Sequence, residues 1–221
     1  MSSQHPNRVS IIYQNYSIVT GILLLLSGAC VTLRFIQRYR ITEFWWDDWT
    51  ILIAMLLGLG VFILTIVISM PSVGAAGYHI NTYSLQQLSI WAKISLVNEV
   101  FYNFSIAYSK ISVLLFYRRI FSIDKGFLVF MRVMFFLIIG VTLSAVFDLI
   151  FSYNPVEAQW DFSVPYTTIA IKPFFIIAAA LNILLDAAIL AFALAKLWRL
   201  QFNRQRKFLL SGLFIIGGLY V

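Results

Sequence analysis

Five long apolar runs, at residues 17–36, 49–70, 90–117, 127–151 and 173–198, dominate this chain. Each is close to the ~20 residues that an α-helix needs to cross a ~30 Å hydrocarbon core. No water reaches backbone N–H and C=O groups inside a bilayer, so a spanning segment must satisfy them itself, as a helix does. The expected fold is therefore all-α, a polytopic transmembrane helical bundle that crosses at least five times. A sixth run, 208–221, has 14 residues, too few to span unaided. The pattern predicts a seven-span type whose chain stops inside the sixth span, as in a fragment or an early-ending gene model. Residues 1–16 read as an exterior N-terminal segment and 17–221 as one transmembrane domain, with no internal repeat or soluble domain.

Composition excludes the main alternatives. Charged residues make up 11% of the 221, where a soluble domain carries roughly 25% to keep its surface wet. A net charge of +7 raises nucleic acid as a partner. The basic residues, however, sit in short blocks between apolar runs, which fits loops beside a lipid bilayer and argues against a nucleic-acid face. Cys30 is the single cysteine, so no intramolecular disulfide can form. The sequence has no His/Cys spacing for a metal, no phosphate-cradling Gly-rich loop and no nucleophile elbow. No catalytic residue, metal or cofactor is assigned from the residues.

Charge also orients the bundle. Twelve of the 16 basic residues fall in or beside the first, third and fifth connections: Arg34, Arg38 and Arg40; Arg118, Arg119, Lys125 and Arg132; and Lys196, Arg199, Arg204, Arg206 and Lys207. Such an excess marks cytosolic loops, so the N-terminus and the even connections are expected outside, in the manner of a receptor at the plasma membrane. Only Arg8 precedes the first run, the reverse of a signal peptide's polarity, and the run reads as an uncleaved span.

Several polar residues stand out against this background. Asp47 and Asp48 open the second run, where acids cap free amides and meet the positive end of the helix dipole. Arg38 and Arg40 are their expected partners, and the pair reads either as a capped, tryptophan-anchored helix start or as a cytosolic latch. In the third run, Ser95, Asn98, Glu99, Tyr102, Asn103, Ser105, Ser109, Lys110 and Ser112 occupy roughly half of a helical wheel. A polar stripe at membrane depth must face protein or a water-filled cavity, either as a site or as interhelical glue. The fifth run carries Asn182 and Asp186 on one face near its middle, where an aspartate costs ~2.5–3.5 kcal/mol to insert. Counting depth at ~1.5 Å per residue puts Lys110 within several ångströms of Asp186, so that a contact is possible, as part of a site or as a structural ion pair, and puts Glu99 on the other side of the midplane. Glu99, Asn103, Lys110, Asn182 and Asp186 are thus the candidate ligand-binding residues, and Asp47, Asp48, Arg118 and Arg119 the candidate cytosolic motif. Lys93, Asp148, Glu157, Asp161 and Lys172 lie near the exterior end, as a vestibule or as ordinary interface residues.

These motifs, in order, resemble a family. Asp47-Asp48-Trp49, Gly77-x-His79, Lys110-x-Ser112, Phe116-Tyr117-Arg118-Arg119-Ile120-Phe121, Pro155-Val156 with Trp160, Asn182 with Asp186, Trp198-x-Leu200, and Arg206-Lys207 with Gly212-x-Phe214 are similar to the fungal rhodopsin-domain membrane proteins. That group includes pathogenicity-receptor-like proteins and the satratoxin-cluster integral membrane protein. The resemblance implies a seven-span fungal membrane protein of largely undefined biochemical activity. Members commonly carry exterior cysteines, one just before the Pro-Val of the fourth connection; here Tyr153 and Asn154 stand there, so that disulfide is missing. Retinal is not supported, because a Schiff base needs a buried lysine and the resemblance supplies none. The leading function is a receptor-like or sensory bundle that binds a small molecule between spans three and five and offers basic loops to a cytosolic signalling partner. The alternatives are a transporter or a membrane-embedded enzyme of a secondary-metabolite pathway.

Overall fold

The structure, a computed structural model, describes residues 6–41, 43–70, 73, 84–120, 124–168 and 171–199. The sixth run, the basic block at 204–207 and the Gly77-x-His79 motif lie outside the described residues. Among the described residues five helices follow one another: α1 (Pro6–Ile41), α2 (Trp46–Ser69), α3 (Leu85–Ile120), α4 (Lys125–Phe151) and α5 (Ile171–Arg199). The 24 residues of α2 amount to ~36 Å, more than the hydrocarbon thickness. α1, α2, α4 and α5 are each long and apolar enough to cross a membrane. α3 is as long as α1, at 36 residues, but its polar stripe keeps it out of that apolar group. Among the described residues there are therefore four apolar spans where the sequence predicts at least five crossings, and α3 is the difference.

α2 and α3 form the most extensive helix pair. Their close approach depends on small residues and a hydroxyl, as is common between helices in lipid. A Cβ on Gly60 would sit 2.8 Å from Cδ2 of Phe101, so the glycine lets that ring lie on the α2 backbone. Ser105 Oγ donates to the Ala54 carbonyl at 2.9 Å. The main core runs along α3, α4 and α5 and includes Leu114, Tyr117, Phe127, Ile138, Leu185 and Ala193. Phe192 stacks on Phe130 with ring centroids 3.7 Å apart. At the start of α4, Asp124 accepts the Phe127 amide at 3.1 Å and pairs with Lys196 of α5.

The connection from α4 to α5 is not purely irregular. Two short strands, β1 (Tyr153–Asn154) and β2 (Thr167–Thr168), pair antiparallel around a 3₁₀ turn at Val156–Gln159. Gln159 Nε2 donates to the carbonyls of Leu149 (3.2 Å) and Ile150 (2.6 Å), acceptors that the end of α4 leaves unpaired. This ribbon departs from the all-helical expectation only in a connection. In the apolar window of α1 no residue is buried, and Leu25, at 76% exposed, is suited to lipid contact.

Candidate functional site

A cavity of about 290 Å³ opens between α3, α4 and α5, and all five candidate ligand-binding residues line it. Glu99, Asn103 and Lys110 come from α3, Asn182 and Asp186 from α5, and α4 contributes Asp148. The aromatic wall is Tyr102, Phe174 and Phe175. Asn182 and Asp186 share a face because they are four residues apart on α5; Asn103 and Lys110, seven apart, likewise share one on α3.

At the deep end, Lys110 is buried (3% exposed) and meets three acceptors. Its Nζ lies 3.0 Å from Asp186 Oδ2, 3.0 Å from Asn182 Oδ1 and 3.1 Å from the Asn182 carbonyl. Three acceptors match the three N–H bonds of an ammonium. Asn182 is itself held by its amide, which donates to the Ala178 carbonyl at 3.2 Å. Asp186 keeps 28% of its side chain accessible, so its carboxylate is clamped from behind yet reaches the cavity. The depth count from the sequence thus matches the Lys110–Asp186 contact. Lys110, a residue of the family motif, is thus buried, where the sequence reading carries over no buried lysine. Glu99, eleven residues before Lys110 and so ~16 Å away along the axis, lines the opposite end of the cavity.

Glu99 also lines a second cavity of about 450 Å³ with Tyr16, Thr65, Ile68, Trp91, Ser95 and Asn98. There the Asn98 Oδ1 atom is buried and has no hydrogen-bond partner among the described residues. The polar stripe of α3 therefore does several jobs. Ser105 and Ser112 at one edge bond to α2, with Ser112 Oγ donating to the Asp47 carbonyl at 2.8 Å. Asn103 and Lys110 at the other edge face the α3–α4–α5 cavity, and the middle lines both cavities.

At the basic end of the bundle, Asp47 (2% exposed) and Asp48 (0%) are buried. Arg34 bridges them, with Nη2 at 2.6 Å from Asp47 Oδ2 and Nε at 2.8 Å from Asp48 Oδ1. Arg38 adds contacts of 3.4 and 3.6 Å. Asp48 Oδ2 also accepts the Trp45 amide at 3.1 Å, capping α2. The expected partner Arg40 is corrected to Arg34. Arg34 and Arg38 are four apart and share a face of α1, whereas Arg40 is rotated away. That i, i+4 spacing was the available signal. The Arg118-Arg119 pair divides: Arg118 is exposed, while the Arg119 guanidinium lies 5.2 Å from the Trp45 ring centroid. Arg34 sits 5.4 Å from that of Phe116, so α1, α2 and α3 meet here.

The exterior vestibule does not assemble as one group. Asp148 joins the cavity, Lys93 lies 5.7 Å from the Trp160 ring centroid, Glu157 and Asp161 are exposed, and the Lys172 side chain lies outside those described.

The model of the family described as "Fungal rhodopsin domain" matches residues 33–221. The chain belongs to that family. The matched segment of this fungal rhodopsin-domain protein begins just before Arg34, so it includes both the arginine–aspartate cluster and the cavity. The chain is also similar to a SAT4 family membrane protein of Emericella nidulans, with 26% identity over 143 residues, 64% of this chain and 37% of the relative. The match thus spans little more than a third of that relative's length. No solved structure matches.

Proposed function

We propose that this fungal rhodopsin-domain protein is a receptor-like, sensory bundle that takes a small ligand between α3, α4 and α5. The observation that carries the reading is the clamped Asp186, a carboxylate held by a buried lysine yet accessible from a cavity. With the Lys110 charge matched by Asp186, Glu99 and Asp148 give the cavity a net acidic lining. Its aromatic wall adds an apolar face, so a ligand with an apolar body and a cationic or hydrogen-bond-donating group fits best. α3 counts as a span in this reading, because it lies along the middle of α2 and its polar stripe is turned to protein and cavities. With α3 counted, the described helices cross five times, as the first five spans of a seven-span receptor would. The basic connections then face the cytosol, with Arg118 available to a signalling partner and the N-terminus outside at the plasma membrane.

The test compares Asp186→Asn, Lys110→Met and the double variant in a strain lacking the gene. In Asp186→Asn the lysine keeps both Asn182 contacts, so expression and monodispersity in detergent should persist while the deletion phenotype, read as growth and metabolite profile, is not rescued. Lys110→Met leaves Asp186 without its cation, and the double variant should fold better than that single change. Full rescue by Asp186→Asn would refute the ligand-site reading.

A further inference from the structure

Away from the acidic cavity, a larger groove of about 500 Å³ runs over α2, α3 and α4. Its walls are almost wholly apolar, with Phe104 toward one end and Trp46 and Arg118 at the end that carries the basic connections. A second groove of about 390 Å³ adjoins it, shares Arg118 and Phe135, and adds Arg132. Arg118 and Arg132 are both exposed, and neither forms an ion pair among the described residues.

Length and charge select the occupant. From Arg118 to Phe104 the α3 axis rises ~21 Å, whereas one leaflet contributes about half of a ~30 Å hydrocarbon core. The groove therefore accompanies an acyl chain through its whole leaflet. Trp46 stands at the level where aromatic rings favour the headgroup region. Two unpaired guanidiniums at the same end call for an anion, and arginine is the side chain best suited to phosphate. A neutral lipid leaves both charges unanswered, and a soluble anion leaves the groove unfilled.

We infer that this face holds one anionic glycerophospholipid, with an acyl chain in the larger groove and its phosphate against Arg118 and Arg132. The site is separate from the acidic cavity and stands whether or not that cavity binds a ligand.

The test uses the full chain in phosphatidylcholine nanodiscs doped with phosphatidylserine, with retained lipid read by native mass spectrometry after transfer to neutral detergent. The parent chain should retain a single phosphatidylserine in preference to phosphatidylcholine. Arg118→Gln with Arg132→Gln should weaken retention about thirty-fold, since each basic residue near an anionic surface contributes ~1 kcal/mol. Thr142→Phe, which fills the groove without touching a charge, should lower retention as well, and size-exclusion profiles check that both variants stay folded. Three results would each overturn the proposal: equal retention of the two phospholipids, loss in the arginine variant but none in Thr142→Phe, or a sterol in place of the phospholipid. The second would show a basic surface without a built groove.

Discussion

Replacing Asp48 with asparagine removes a charge from the arginine–aspartate cluster while leaving its shape. Asp48 is fully buried and accepts from Arg34 Nε at 2.8 Å and from the Trp45 amide at 3.1 Å. Asparagine offers one carbonyl oxygen, so it can keep only one of these two contacts. Arg34 and Arg38 then share the single carboxylate of Asp47. Breaking a buried ion pair by removing one partner costs ~3–5 kcal/mol, and loss of a cap contact adds up to ~1 kcal/mol. The arginine side chains are 28% and 16% exposed, so water takes up part of the stranded charge and the lower figure, about 3 kcal/mol, applies. For a domain of this size ~1 kcal/mol moves the melting temperature by ~2–4 °C, so Asp48→Asn should melt about 6–12 °C below the parent. The assay is thermal unfolding of detergent-extracted protein, read as the monodisperse fraction on size exclusion. Arg34→Lys keeps the charge but not the fork that reaches both acids, and should fall in between. Arg40→Gln is the control, expected to melt with the parent. An unshifted Asp48→Asn, or an Arg40→Gln shifted as far, would refute the assignment.

Lys196 and the Phe127 amide hold the Asp124 carboxyl below the ordinary carboxylate range. A carboxyl depressed in the fold stabilises above its unfolded value, ~3.9, and loses that contribution as pH falls through the folded one. The gap in melting temperature between the parent and Asp124→Asn should therefore be open at neutral pH and close on acidification below about pH 4; a gap independent of pH refutes it. Membrane orientation is checked with single cysteines at Ser84 and Asn203 in a Cys30→Ala background. An impermeant thiol reagent applied from outside should label the first and spare the second, and equal labelling overturns the charge-based orientation.

How much of this was legible before the structure depends on the coordinate concerned. Depth along the membrane normal was legible, because helical spans start from common planes and advance ~1.5 Å per residue. That is why Lys110 and Asp186, 76 positions apart in the chain, come within several ångströms in depth by counting, near enough for the long lysine side chain to close the gap and meet the carboxylate at 3.0 Å. Rotation about each axis and lateral neighbourhood were less so. Arg34, Arg38 and Arg40 all lie near the depth of Asp47, and only the face they occupy decides which ones reach it. Asp148, expected at a vestibule, lines the cavity instead for the same reason: its neighbours are set by α4 packing that no periodicity reports.

The polar stripe of α3 shows the same limit from the other side. On a wheel its residues form one continuous half, which suggests a single polar environment. Ser105 and Ser112 lie at one edge, Asn103 and Lys110 at the other, each pair two turns apart. A helix between two neighbours presents its opposite edges to different partners, so one stripe becomes a seam to α2, a seam to α5 and a lining between. Serine hydroxyls can close back on a helix or donate across to the next one, and they mark the glue. Lysine and glutamate carry charges that no such local bond satisfies at that depth, and they mark the cavity. Side-chain chemistry, read within the stripe, therefore separates scaffold from site where periodicity alone merges them.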